Sequence, residues 1–403
     1  MNLGKSHSTT RTENSVYSVT KEETFHLSPI FLVGIAISLA GVVIGLNQLS
    51  PWFSIVLLTL ALAGLATLFV LDRQKNQKAL KAENREEEYA RLASFDLVRY
   101  GPWLKENIRG QDEAVDSIIT SLQGNLGLAR PGRVLGAYFL VGPTGTGKTF
   151  LGHLVSQALY PESEPLVLRM NQYKSPNDVF TLLGSPPGTP GYEVGGSLTR
   201  PVLANPRRVV IFDEINMAHP DLHHCLYDIL DAGSCREKSS GRLVDFSSCV
   251  FFATSNAGFE SLSTLRARID PALDQATWQG QSREVLVASA GFDRAFLARW
   301  TDILLMDELA PIYVAEVACL ELSRYWREYK IDVKYAAPEI IFEAVKRNEE
   351  FKQYGVRQLG NYIRMKTSAA IGQARSQGYK EVHLTVGSTG RLEVVPISSS
   401  PVK

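Results

Sequence analysis

Eight residues constrain this chain more than any others: Gly142-Pro143-Thr144-Gly145-Thr146-Gly147-Lys148-Thr149. They follow the short apolar run Tyr138–Val141, and a helical apolar pattern comes after them. That order is strand, glycine loop, helix, the context in which such a loop wraps phosphates with its backbone N–H groups. Lys148 reaches the terminal phosphates, and Thr149 offers a hydroxyl to Mg²⁺ at a helix start whose dipole favours anions. The expected ligand is ATP with Mg²⁺.

Two further apolar runs end in polar residues where such a site needs them. Val209–Phe212 leads into Asp213-Glu214, and Val250–Thr254 leads into Ser255-Asn256. A carboxylate at a strand's C-terminal edge beside the phosphate loop can hold Mg²⁺ through water, the role expected of Asp213. Glu214 then polarises the attacking water, and Asn256 orients it. Strands alternating with helical stretches predict a three-layer α/β domain around a parallel sheet. From Pro311 onward helical spacing dominates, over Pro311–Tyr329, Pro338–Phe351 and Val356–Ser376, and a closing β-hairpin is expected around Gly387–Gly390.

Charge narrows the choice of partner. Lys plus Arg and Asp plus Glu each total 42, so a net charge near zero argues against nucleic acid. The four cysteines, Cys225, Cys235, Cys249 and Cys319, lack the close spacing of a zinc site or redox motif and read as reduced thiols, Cys249 within a strand. His219, His223 and His224 follow Glu214 on a helix that turns the last two apart, which favours a solvated or interface surface over a metal site.

The N-terminal part carries two uncharged stretches, Ile30–Leu46 and Trp52–Leu71, each near the roughly 20 residues that span a bilayer as helix. Five residues, Asn47 to Pro51, separate them. The expectation is a transmembrane hairpin over 29–71, in contact with the lipid bilayer. Basic flanks would place both termini in the cytoplasm, as in a protein of the bacterial inner membrane. Residues 1–28 are expected to be a disordered tail, and Asp72–Arg91 a solvated charged helix serving as a spacer over 72–97.

The segments IRGQDEAVDSI (108–118), VGPTGTGKT, LLGSPPGTPGYEVGGSLT, VVIFDEINMAHPDLHHCLYDILDAG, GRLVDF, ATSN, FDRAFLARWTDILLMDEL and YGVRQL resemble, in that order, the second ATPase module of the ClpA and ClpB class. The resemblance covers about residues 98–395. It implies an AAA+ P-loop ATPase domain over 98–310, a small helical lid domain over 311–395 and a short tail over 396–403. By the same resemblance Ile108 contacts adenine, Arg299 matches an arginine finger that reaches a neighbouring subunit's site, and Arg357 matches a lid arginine that senses the γ-phosphate. Arg294 is the nearest competitor for the finger. A finger supplied in trans implies a ring, a homo-oligomer expected to be a hexamer.

One stretch departs from the family. Where relatives carry Gly-Tyr-Val-Gly in a loop that grips polypeptide in a central pore, this chain carries Gly188-Thr189-Pro190-Gly191. The gripping aromatic is missing, and Tyr192 matches a tyrosine the family has in addition. Two functions follow as expectations: an ATP-driven remodeller of protein substrates or complexes at a membrane face, or an ATP-controlled assembly or docking module of a membrane complex, torsin-like and without threading.

Overall fold

A computed structural model describes residues 51–189, 192–269, 274–350, 357–387 and 390–397. The chain divides into two compact units with the break between Arg85 and Glu86. One long helix, Pro51–Ala93, starts in the first unit and ends in the second.

The second unit is organised by a parallel sheet of five strands in the order β2-β3-β6-β1-β7. These are β1 (Gly136–Val141), β2 (Leu166–Arg169), β3 (Arg208–Asp213), β6 (Cys249–Ser255) and β7 (Asp302–Leu305); β4 (Ser234–Arg236) and β5 (Leu243–Asp245) form a separate antiparallel ribbon. β1 and β6 are buried along their whole length, as parallel strands covered by helices on both faces must be. Side chains alternate between two cores. Ala137, Phe139, Val210, Phe212, Phe251 and Ile303 enter one, and Tyr138, Leu140, Val209, Ile211, Phe252 and Leu304 the other. The three-layer architecture is therefore written in the period-2 alternation of the strands.

Residues Val314 to Leu384 hold a third core. Helices Pro311–Glu328, Pro338–Glu350 and Arg357–Ser376 pack with a three-stranded sheet, β10 (Leu392–Pro396), β9 (Glu381–Val386) and β8 (Asp332–Ala336). β9 and β10 form the antiparallel hairpin, and β8 adds a parallel strand that the sequence pattern did not reveal. Its side chains are half-buried or exposed, so its pairing comes from backbone rather than from an apolar signature.

No helix among the described residues is long and apolar enough to cross a membrane. This overturns the expected two-helix membrane localisation with both termini in the cytoplasm. The apolar stretch 52–71 is the first half of a helix of 43 residues that continues unbroken through the charged stretch to Ala93. The other expected span, 30–46, and the tail, 1–28, lie outside the described residues. The charged stretch also ends differently from a solvated spacer. Glu88 pairs with Arg207 at 3.2 Å, the Tyr89 and Ser247 hydroxyls meet at 2.7 Å, and Leu92 is buried in the second unit's core.

Candidate active site

The phosphate-type loop joins β1 to the helix Lys148–Leu159. Gly145 and Gly147 sit at φ +85° and +95°, which side-chain-bearing residues rarely adopt. Gly142 is required for a different reason: a Cβ there would collide with the Met306 carbonyl oxygen. Thr146 is buried and its hydroxyl donates to the Pro143 carbonyl at 3.0 Å. Lys148 Nζ donates to the Gly142 and Pro143 carbonyls at 2.7 and 2.6 Å. Burial pushes the Lys148 pKa down to about 8, against the opposing pull of Asp213 and Glu214.

β3 delivers the acidic pair to this loop. The Thr149 hydroxyl donates to Asp213 Oδ1 at 2.6 Å, and the Thr254 hydroxyl at the end of β6 donates to the same oxygen at 2.9 Å. Thr254 Oγ1 also accepts from the Glu214 N–H at 2.9 Å. Glu214 itself lies at φ +58°, an uncommon conformation for a residue with a side chain and one that concentrates where function demands it. Its carboxylate accepts from Asn171 Nδ2 at 3.2 Å. Asn256 accepts from Asn216 at 3.2 Å and lines a hollow of about 430 Å³ with Pro143, Thr144 and Glu308. Thr254 and Asn171 escaped the sequence reading because their partners lie 40 or more positions away.

Behind the loop lies a cavity of about 510 Å³ between the sheet domain and the helical C-terminal part. Ile108, Gly145, Thr146 and Gly147 form one wall, and Leu309, Val317, Arg324, Asn361 and Arg364 the other. Ile108 is buried there, and a Cβ on Gly147 would stand 2.9 Å from its Cδ1. A slot of mixed apolar and basic lining that leads to a glycine loop at a helix start suits a nucleotide with its base in the slot.

Residues 133–303 match the model of the AAA domain (Cdc48 subfamily). The chain carries a Clp-type AAA+ ATPase module. It is 32% identical over 306 residues to the chaperone protein ClpB of Nitratidesulfovibrio vulgaris, covering 74% of this chain and 34% of that protein. It is 31% identical over 326 residues to ClpB of Bacillus cereus, covering 75% and 36%, and 32% identical over 253 residues to ClpB of Vibrio cholerae, covering 61% and 29%. The chain thus spans about a third of the length of these relatives. The module is an ATP hydrolase.

Other predicted residues fall elsewhere on the ATPase module. Arg299 follows the short helix Arg294–Leu297, and its Nε donates to Asp231 at 2.8 Å. Arg294 pairs with Glu284 at 2.6 Å. Arg357 opens the helix Arg357–Ser376, but its side chain is outside the described residues. Thr189 ends a turn in which its hydroxyl donates to the Pro186 carbonyl at 2.6 Å, and Tyr192 opens a 3₁₀ turn with its ring partly exposed. Pro190 lies outside the described residues. His223 is buried, not solvated: it stacks on Phe296 with centroids 4.4 Å apart.

Proposed function

We propose that this chain is a ring-forming ATPase, assembling as a hexamer, that uses ATP hydrolysis to remodel proteins or protein complexes. The observation that carries the reading is the junction of Thr149, Asp213 and Thr254, which ties the acidic strand end to the start of the phosphate-loop helix. Thr149 and Asp213 offer oxygen donors of the kind Mg²⁺ takes, and no described cluster of three His, Cys, Asp or Glu side chains competes for a metal. Bound Mg²⁺ would neutralise charge on the β- and γ-phosphates. Around it, the loop N–H groups and Lys148 bind the phosphates, Ile108 seats the base, Glu214 takes the proton of the attacking water and Asn256 fixes that water's orientation. Arg299 of a neighbouring subunit and Arg357 of the lid supply positive charge as the γ-phosphoryl departs. Protein substrates are inferred from relatives whose names are those of chaperones.

The test is a pair of variants. Glu214→Gln is expected to keep ATP affinity and lose most turnover, while Lys148→Ala weakens nucleotide binding itself. Both are read by equilibrium binding of ATP and by phosphate release; wild-type turnover in Glu214→Gln would sink the assignment. A second reading, ATP-controlled assembly or docking without threading, is favoured by Thr189. A small hydroxyl bonded back to its own turn cannot grip a passing chain as an aromatic ring would.

A further inference from the structure

Arg299, the proposed finger, is held on two nitrogens and one face. Its Nε donates to Asp231 Oδ2 at 2.8 Å and its Nη1 to the Ala295 carbonyl at 2.5 Å. The guanidinium plane lies over the Tyr227 ring, 3.9 Å from the centroid. Tyr227 is fixed in turn, because its hydroxyl donates to Asp293 Oδ1 at 2.7 Å and the same oxygen caps the helix Arg294–Leu297 through the Phe296 N–H at 3.0 Å. Arg294 is the contrast: its side chain is 71% exposed against 23% for Arg299, and among the described residues its side chain has one exposed ion pair.

We infer that Tyr227 and Asp231, both on the helix Tyr227–Ala232, are positioning residues that aim Arg299 at the neighbouring subunit's nucleotide. The inference rests on the finger role proposed for Arg299. An arginine reaching across an interface loses rotamer freedom on docking, so fixing the fork beforehand removes that cost from the reaction. Two nitrogens and one face fix the guanidinium plane, which a single ion pair cannot do. Tyr227–Ala232 is reached from β3 through the turn at Ile215–Met217, so the finger is seated on the chain that continues from the subunit's own acidic pair.

The experiment uses the assembled full-length chain. Asp231→Ala and Tyr227→Leu are expected to lower kcat about 10- to 100-fold with KM for ATP unchanged, as small misplacements of a reacting group do. Asp231→Asn keeps an acceptor for Nε and Tyr227→Phe keeps the ring, and both should retain most turnover. Asp231→Ala combined with Arg299→Ala should fall no further than Arg299→Ala alone. In mixed rings, Lys148→Ala subunits donate a finger to Arg299→Ala subunits and restore part of the activity. Adding Asp231→Ala to the donor should abolish that recovery, and adding it to the acceptor should not. Full kcat in both Asp231→Ala and Tyr227→Leu, or a defect that follows the acceptor, overturns the inference while leaving the finger in place. Normal turnover in Arg299→Ala removes the finger assignment and the inference with it.

Discussion

Single side chains bear on how the proposed ATP site is held together, and His223 shows how a residue with no part in the proposed chemistry can matter. Its Nε2 lies 3.2 Å from the Ile215 carbonyl, one residue past Glu214, and its ring stacks on Phe296. Burial lowers its pKa most strongly, the Ile215 carbonyl and Asp293 raise it, and His224 and His219 add to the lowering. A histidine held neutral in the fold binds fewer protons than the unfolded chain does once the pH drops below about 6.5. Stability present at neutral pH is therefore lost as the pH falls through and below that unfolded value. The urea midpoint of the wild type should fall between pH 7.5 and 5.5, and His223→Phe, which keeps an aromatic stack, should flatten part of that fall. An unchanged pH profile in His223→Phe would show that other groups carry it.

At the scale of elements, the last turns of the helix Pro51–Ala93 are expected to be a structural part of the ATPase module. Leu92 is buried among Leu97, Ile119, Tyr160 and their neighbours, whereas Glu88 and Arg207 form a pair nearer the surface. Leu92→Ala should cost about 2–4 kcal/mol, through lost burial and the cavity left behind. Arg207→Ala should cost about 1 kcal/mol or less, as partly exposed ion pairs do. Urea unfolding followed by tryptophan fluorescence checks the order. Equal, small losses in both would mean that the helix end is only resting on the module.

For the whole molecule the open choice is between threading and control of assembly. Wild-type rings are expected to hydrolyse ATP without processively unfolding a tagged model protein. Replacing Thr189 with Tyr and Pro190 with Val together should create or raise that activity, because an aromatic ring offers the apolar contact area that threonine lacks. Robust processive unfolding by the wild type would reject the non-threading reading, and Tyr192 would become the first residue to test as the grip.

Much of the proposed ATP site is legible in the linear chain because its parts are local. The glycine loop, Lys148 and Thr149 are consecutive, and Asp213-Glu214 and Asn256 each end an apolar run, so period, composition and spacing suffice to place them. The alternation that sorts Phe139 from Tyr138 and Phe251 from Phe252 into opposite cores is local as well. What joins these pieces is not local. Thr254 bridges Asp213 and Glu214 because β3 and β6 are neighbours in the sheet, and Asn171, just past the end of β2, finds Glu214 because β2 pairs with β3. Asp231 meets Arg299 after 68 residues of chain, and β8 joins β9 with no apolar pattern to announce it. Apolar length, too, is ambiguous by itself: 52–71 has the length of a span, yet no described helix is long and apolar enough to cross a membrane. Side-chain type and period act over a few residues, whereas hydrogen bonds between distant strands and the end of a helix are set by what the folded chain brings alongside them.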